Sequence, residues 1–171
     1  IHFPKSQDLL AKAQFRLKFE ELFFIQLQLI TKNLIRKHKI KGMPFERVGD
    51  NFTDFYNNHL PFDLTNAQKR VLKEIRNDLG SNAQMNRLLQ GDVGSGKTIV
   101  ALMCMLLAID NGFQACLMAP TEILANQHFL GLSELAKTTN INIQLLTGST
   151  KTAERKKIHE SLQDGSLHII I

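Results

Sequence analysis

With 171 residues, the chain has room for about one domain with a proper core and some peripheral structure. Its 43% hydrophobic and 22% charged content is ordinary for a soluble globular protein, and no low-complexity tract or internal repeat occurs in it. The longest strongly apolar run, Ile99 to Ile109, falls short of the ~20 residues a membrane span needs, so no membrane partner is expected. A formal net charge of +5 and a pI near 9.3 suit a polyanionic partner such as nucleic acid, without naming one.

The chain order begins with Pro4, a Ser6 cap candidate and a long helical stretch. Leu9, Leu10, Ala13, Leu17, Phe24 and Leu27 fall broadly at helical spacing. Lys37, Lys39 and Lys41 crowd its C-terminal end before Gly42, as the helix dipole and a glycine cap favour. Apolar residues from Phe19 to Ile30 are too dense for one exposed helix, which is expected to pack against something else. Gly42-Met43-Pro44 breaks the helix, and an aromatic segment with Phe52, Phe55 and Tyr56 leads to His59-Leu60-Pro61.

From there the pattern alternates. A helix is expected from Thr65 to Leu79, stopped by Gly80, and then a short strand at Arg87-Leu88-Leu89-Gln90. A glycine-rich loop opens a helix from Lys97 to Asp110. Asn111-Gly112 turns into a strand over Phe113 to Met118, and Pro120-Thr121 opens a helix to Lys137. A strand at Asn142 to Leu146, a helix at Lys151 to Gln163 and a strand at Leu167 to Ile171 complete the run. Strands alternating with helices predict an α/β fold with a parallel sheet. The start at Ile1 and the end inside an apolar strand are read as the ends of a fragment. Cys104 and Cys116 lie in apolar sequence with no CxxC spacing, so both are expected as buried free thiols in a reducing cytoplasm. His128, His159 and His168 have no partner pattern and read as structural.

The chemistry concentrates at Gly91-Asp92-Val93-Gly94-Ser95-Gly96-Lys97-Thr98. This fits the P-loop pattern G-x-x-x-x-G-K-[ST], with an expected strand before it and a helix after it. Gly91, Gly94 and Gly96 allow backbone N–H groups to approach phosphate oxygens with no Cβ in the way. Lys97 would supply a point charge to the β and γ phosphates, and the Thr98 hydroxyl would ligate Mg²⁺. The following helix directs its positive end at the anion. ATP with Mg²⁺ is the expected cofactor pair. A P-loop alone does not name the work, because kinases, transporters, GTPases and helicases share it.

The flanks narrow the choice. Leu60 to Ile75 reads LPFDLTNAQKRVLKEI, Met85 to Thr98 reads MNRLLQGDVGSGKT, Leu117 to His128 reads LMAPTEILANQH, and Leu145 to Ser149 reads LLTGS. These segments resemble, in turn, the Q motif, motif I, motif Ia and motif Ib of the RecG family of superfamily 2 helicases. The N-terminal IHFPKS and Arg16 to Leu27 resemble the helical linker before that family's motor. Ser95 and PTEILANQH favour the RecG family over the transcription-repair coupling factor, a near relative that shares GDVG-GKT and whose duplex translocase type stays an alternative.

The resemblance implies a P-loop, RecA-like α/β fold and an ATP-dependent DNA helicase acting on branched DNA, meaning stalled forks and Holliday junctions. It also implies a linker over 1–59 following an absent wedge domain, and the first part of motor domain 1 over 60–171. A monomeric parent at the bacterial nucleoid belongs to the same implication; the residues themselves carry no sign of oligomeric state. Gln68 would read the adenine edge and Phe62 would pack on the base. Thr65-Asn66-Ala67-Gln68 is equally a capping box, and both readings stand. Pro120 and Thr121, and Thr147, Gly148 and Ser149, would lie on the DNA track, holding phosphates at two helix starts beside Lys151, Arg155, Lys156 and Lys157. Capping and a solvated basic helix face are the plainer alternatives.

ATP hydrolysis needs a carboxylate pair to hold Mg²⁺ and orient water, and no Asp-Glu pair after an apolar strand occurs in these residues. The chain by itself is therefore expected to bind nucleotide and not turn it over. Steady-state ATPase from the pure chain, lost in Lys97→Ala, would defeat this. A small-molecule phosphotransferase and a non-catalytic ATP-binding module remain the alternatives.

Overall fold

The computed structural model describes residues 1–171 except for the side chains of residues 37 and 38, so Lys37 at the expected helix end lies outside the described residues. Two compact units result, Ile1–Gly42 and Met43–Ile171.

The first unit is essentially helix α1, Gln7–Lys39. Ser6 starts it as expected, its hydroxyl accepting from the Leu9 N–H at 3.3 Å. Asp8 sits in the first turn, where the dipole favours an anion, and pairs with Lys12 at 2.7 Å; Arg16 and Glu20 pair likewise at 2.7 Å. Phe15, Phe19 and Phe23 stack along the helix at centroid spacings of 6.4 and 5.5 Å. Their four-residue spacing makes them neighbours on one face. Within the described structure these rings stay largely exposed, Phe15 at 72%.

The second unit opens with a short helix α2, Asp50–Asp54, running into a π-helical turn over Phe55–His59. Phe55 anchors this segment in the core at 1% exposure. Helix α3, Asn66–Leu79, turns Leu72 and Ile75 inward. Helix α4, Lys97–Asp110, buries Ile99, Val100, Leu102, Met103, Met105, Leu106 and Leu107, apolar nearly all round as a core helix must be. Each large side chain so buried contributes about 1.5–3 kcal/mol relative to exposure.

The C-terminal end of α4 is clasped by the segment after Met43. The buried carboxylate of Asp110 accepts from the N–H groups of Gly49, Asn51 and Phe52 and from the Asn51 side-chain amide, at 2.9–3.0 Å. Asn111 accepts from the Arg47 N–H at 3.0 Å and donates back to its carbonyl at 2.8 Å, while Phe45 stacks on Phe113.

Three short parallel strands follow, β1 Ala115–Cys116, β2 Ile143–Gln144 and β3 Ile169–Ile170, in the order β1-β3-β2. Ala115 and Ile143 both align with Ile169. Ladder bonds extend past the strand ends, Leu117 N–H to Ile170 at 2.9 Å and Leu146 N–H to Ile171 at 2.7 Å. Helices α5, Glu122–Leu135, and α6, Thr152–Gln163, connect them. This is the expected α/β architecture, a parallel sheet flanked by helices and preceded by a long N-terminal helix.

Four details depart from the expectations, the first being that α1 ends at Lys39 with Ile40, not Gly42, as its C-cap. Arg87–Gln90 forms no strand, because no neighbouring strand is placed beside it among the described residues. Leu88 is 84% exposed there, while Arg87 turns to Glu74 and Asp78 of α3, at 2.7 Å each. Cys116 is exposed rather than buried, since β1 pairs on one side only and its side chains alternate. Cys104 is half-buried on α4, and desolvation pushes its thiol up to about 11. Finally, α6 starts at Thr152 with Lys151 as its cap, so Ser149 and Thr150 belong to a turn before the helix rather than to its start. His168 is structural as read, its Nδ1 accepting from the Asn142 N–H at 2.9 Å.

Candidate functional site: a phosphate loop and a groove

The P-loop connects the Arg87–Gln90 segment to α4. Gly94 and Gly96 have φ of 80° and 79°, a left-handed backbone that only glycine adopts without strain. Gly96 is also the N-cap of α4, so the first N–H groups of that helix open toward the loop. A Cβ on Gly91 would meet the Ser95 hydroxyl oxygen at 2.6 Å, and one on Gly96 would meet Gln68 Nε2 at 2.3 Å. Neither position accepts a side chain without moving its neighbour. Asp92, Val93, Gly94 and Ser95 are exposed, and Lys97 and Thr98 are half-buried in the first turn of α4. The Lys97 ammonium donates to the carbonyls of Gly91 and Asp92 at 2.8 and 2.7 Å, which keeps a fixed positive charge at the loop.

Gln68 joins this loop to α3. The capping box forms in full: Thr65 Oγ1 accepts from the Gln68 N–H at 3.2 Å and Gln68 Oε1 accepts from the Thr65 N–H at 2.8 Å. A third bond, which no local pattern signals, runs from Gln68 Nε2 to the Ser95 carbonyl at 2.9 Å. Phe62 is half-exposed and lines a recess of about 360 Å³ with Tyr56, Pro61 and Lys69. A glycine-built cradle, a held lysine and a helix N-terminus together fit a polyphosphate.

The two segments read as a nucleic-acid track come together. Pro120, Thr121, Thr147 and Gly148 line one groove of about 430 Å³, with Arg155 in its wall. Thr121 caps α5, its hydroxyl accepting from the Leu124 N–H at 3.3 Å. The turn at 147–150 is closed by Thr150 Oγ1, which accepts from the Thr147 N–H at 2.9 Å. Arg155 holds the same turn from below the helix start, donating to the Thr147 carbonyl at 2.8 Å. Ser149 turns away into a neighbouring groove of about 790 Å³, where Lys151 and Lys157 also lie. Lys156 pairs with Glu160 at 4.0 Å. Glu122, which the sequence reading passed over, joins the two segments through the hydroxyls of Thr147 and Ser149. Its place in the first turn of α5 was legible; that a turn from 25 residues further on lands upon it was not. Among the described residues no cluster of three or more His, Cys, Asp or Glu could hold a metal by itself, and no helix is long and apolar enough to cross a membrane.

A P-loop at the head of a core helix, inside a parallel α/β unit, is the arrangement of a P-loop nucleotide-binding lobe. Residues 65–171 match the DEAD/DEAH box helicase family, and the chain belongs to that family. It is similar to the ATP-dependent DNA helicase RecG of Synechocystis, at 44% identity over 171 residues, all of this chain and 20% of that protein. RecG of Thermotoga maritima is similarly 45% identical over 173 residues, all of this chain and 22% of that one. Among solved structures, RecG bound to a three-way DNA junction superposes with a TM-score of 0.85 at 45% identity, over 99% of this chain and 23% of that one. The chain thus spans about a fifth to a quarter of the length of these relatives.

Proposed function

We propose that the protein to which this chain belongs is an ATP-dependent DNA helicase that remodels branched DNA, including stalled forks and Holliday junctions. The observation that carries this is the superposition, over 99% of the chain at 45% identity, on a RecG seen with a three-way junction. The local geometry supports it, because the loop fits a triphosphate and the groove presents backbone edges and an arginine to a polyanion.

In this reading Gly91 to Gly96 cradle the phosphates and Lys97 leaves its two carbonyl partners to meet the β and γ oxygens. The Thr98 hydroxyl holds Mg²⁺, which when bound neutralises phosphate charge. Gln68, with Phe62 near it in sequence, takes the adenine side. Its bond to the Ser95 carbonyl gives that contact a route into the loop. Pro120, Thr121, Thr147 and Gly148 hold DNA phosphates along the groove they line, and Ser149, expected on the same track, stands in the neighbouring groove and braces the turn through Glu122. Residues 1–59 serve as the linker and 60–171 as the start of the first motor lobe, with 43–59 as the part of the linker built into the lobe through Asp110. The bacterial relatives support a cytoplasmic setting on the nucleoid.

The test is the ATPase rate of the full-length protein with forked DNA, with linear duplex and without DNA. Forked DNA is expected to stimulate most. Equal stimulation by linear duplex would favour a general duplex translocase, and no response to DNA would overturn the DNA-motor reading.

A further inference from the structure

We infer that Glu122 is a positioning residue that sets the spacing between the two walls of the DNA groove; this rests on the reading of that groove as the DNA track. Its Oε1 accepts from the Thr147 hydroxyl at 3.1 Å and also from the Ser149 hydroxyl, and these two hydroxyls lie 3.0 Å apart. One carboxylate oxygen therefore gathers both side chains of a turn that is far away in sequence. The carboxylate starts α5, directly after Thr121, whose hydroxyl caps the helix. The turn it gathers carries Thr147 and Gly148 on the groove wall opposite Pro120 and Thr121. Arg155 also fixes the turn, donating to the Thr147 carbonyl at 2.8 Å, so the turn is held by a cation as well as an anion.

The placement is unexpected for a charge alone. A carboxylate beside a path for phosphates repels them, and simple Coulomb reasoning predicts tighter DNA binding on its removal. Positioning predicts the opposite sign once the geometry is lost. Two substitutions separate these effects. Glu122→Asp keeps the charge and suits the first helical turn, but draws the carboxylate back by one methylene from the two hydroxyls. Glu122→Gln keeps the length and an acceptor oxygen but removes the charge.

DNA affinity of the full-length protein is measured by fluorescence anisotropy on a forked oligonucleotide across a salt series, with nucleotide affinity measured in parallel. Glu122→Asp is expected to weaken DNA binding by about tenfold, the scale of one hydrogen-bonded charge contact, with a shallower salt slope and unchanged nucleotide affinity. Glu122→Gln is expected to stay within about threefold of wild type, well under one such contact. Wild-type affinity in Glu122→Asp, or binding more than about threefold tighter in Glu122→Gln, would overturn the positioning role. Gly148→Glu separates this from failure of the groove reading: no atom lies within 4 Å of a Cβ built there and its φ is not positive, so the new carboxylate fits and faces the track. Loss of binding in Gly148→Glu with none in Glu122→Asp sinks positioning alone. Wild-type binding in Gly148→Glu removes the track, and the positioning role with it.

Discussion

Replacing Lys97 by alanine in the full-length protein should lower ATP turnover by at least about a hundredfold, the cost of losing one fixed charge from a preorganised phosphate site. The ammonium already sits at the loop, donating to the carbonyls of Gly91 and Asp92 at 2.8 and 2.7 Å. It therefore needs little rearrangement to exchange those carbonyls for phosphate oxygens. Alanine removes both the charge and the brace, yet Lys97 is half-buried at a helix start and makes no part of the hydrophobic core. The fold should survive, and circular dichroism with a fluorescent nucleotide titration checks that separately from turnover. Lys97→Arg is expected to fail nearly as badly. A planar guanidinium cannot occupy the point between two carbonyls that a compact ammonium fills. Turnover within a few-fold of wild type in Lys97→Ala would remove the loop from the mechanism.

Asp110→Ala should destabilise the chain by about 3–5 kcal/mol, because it leaves four partly buried donors without their charged acceptor. At 7% exposure, Asp110 accepts from Gly49, Asn51 and Phe52 N–H groups and the Asn51 amide, closing the far end of the P-loop helix against the segment that follows Met43. Asp110→Asn is expected to be almost as damaging. Oδ1 and Oδ2 each accept from two donors, so wherever the amide nitrogen falls it confronts N–H groups with another donor. The measurement is the urea-unfolding midpoint of the 171-residue chain, read at constant m-value. A shift equivalent to less than about 1 kcal/mol would mean that water replaces the carboxylate and that the clasp carries little of the stability. The clasp and the phosphate loop occupy opposite ends of α4.

Local signals were legible where one short stretch contained both partners. Ser6 with Leu9, Thr65 with Gln68, Thr121 with Leu124, and the P-loop glycines are such cases, since caps and tight turns depend on residues three or four apart. The helix from Lys97 to Asp110 was legible for a related reason, because an almost unbroken apolar run can only be stable inside a core. The parallel α/β plan followed from the alternation of such segments.

Contacts between distant segments were settled only by the tertiary structure. A strand is a pairing, so the apolar pattern at Arg87–Gln90 could not say whether a neighbour would be there, and none is among the described residues. Cys116 looked buried by its sequence neighbours and is exposed by its place on an edge strand. Gln68 Nε2 reaches Ser95 across 27 residues, Asp110 reaches Gly49 across 61, and Glu122 reaches Thr147 across 25. Periodicity and composition report a residue's local preferences; they carry no information on which other turn the folded chain brings to it. For this protein the sequence by itself determined the long helices, the Ser6, Thr65 and Thr121 caps and the phosphate-loop motif, while the short helix α2, the start of α6, the clasp on α4, the link from Gln68 to the loop and the joined walls of the groove came from packing alone.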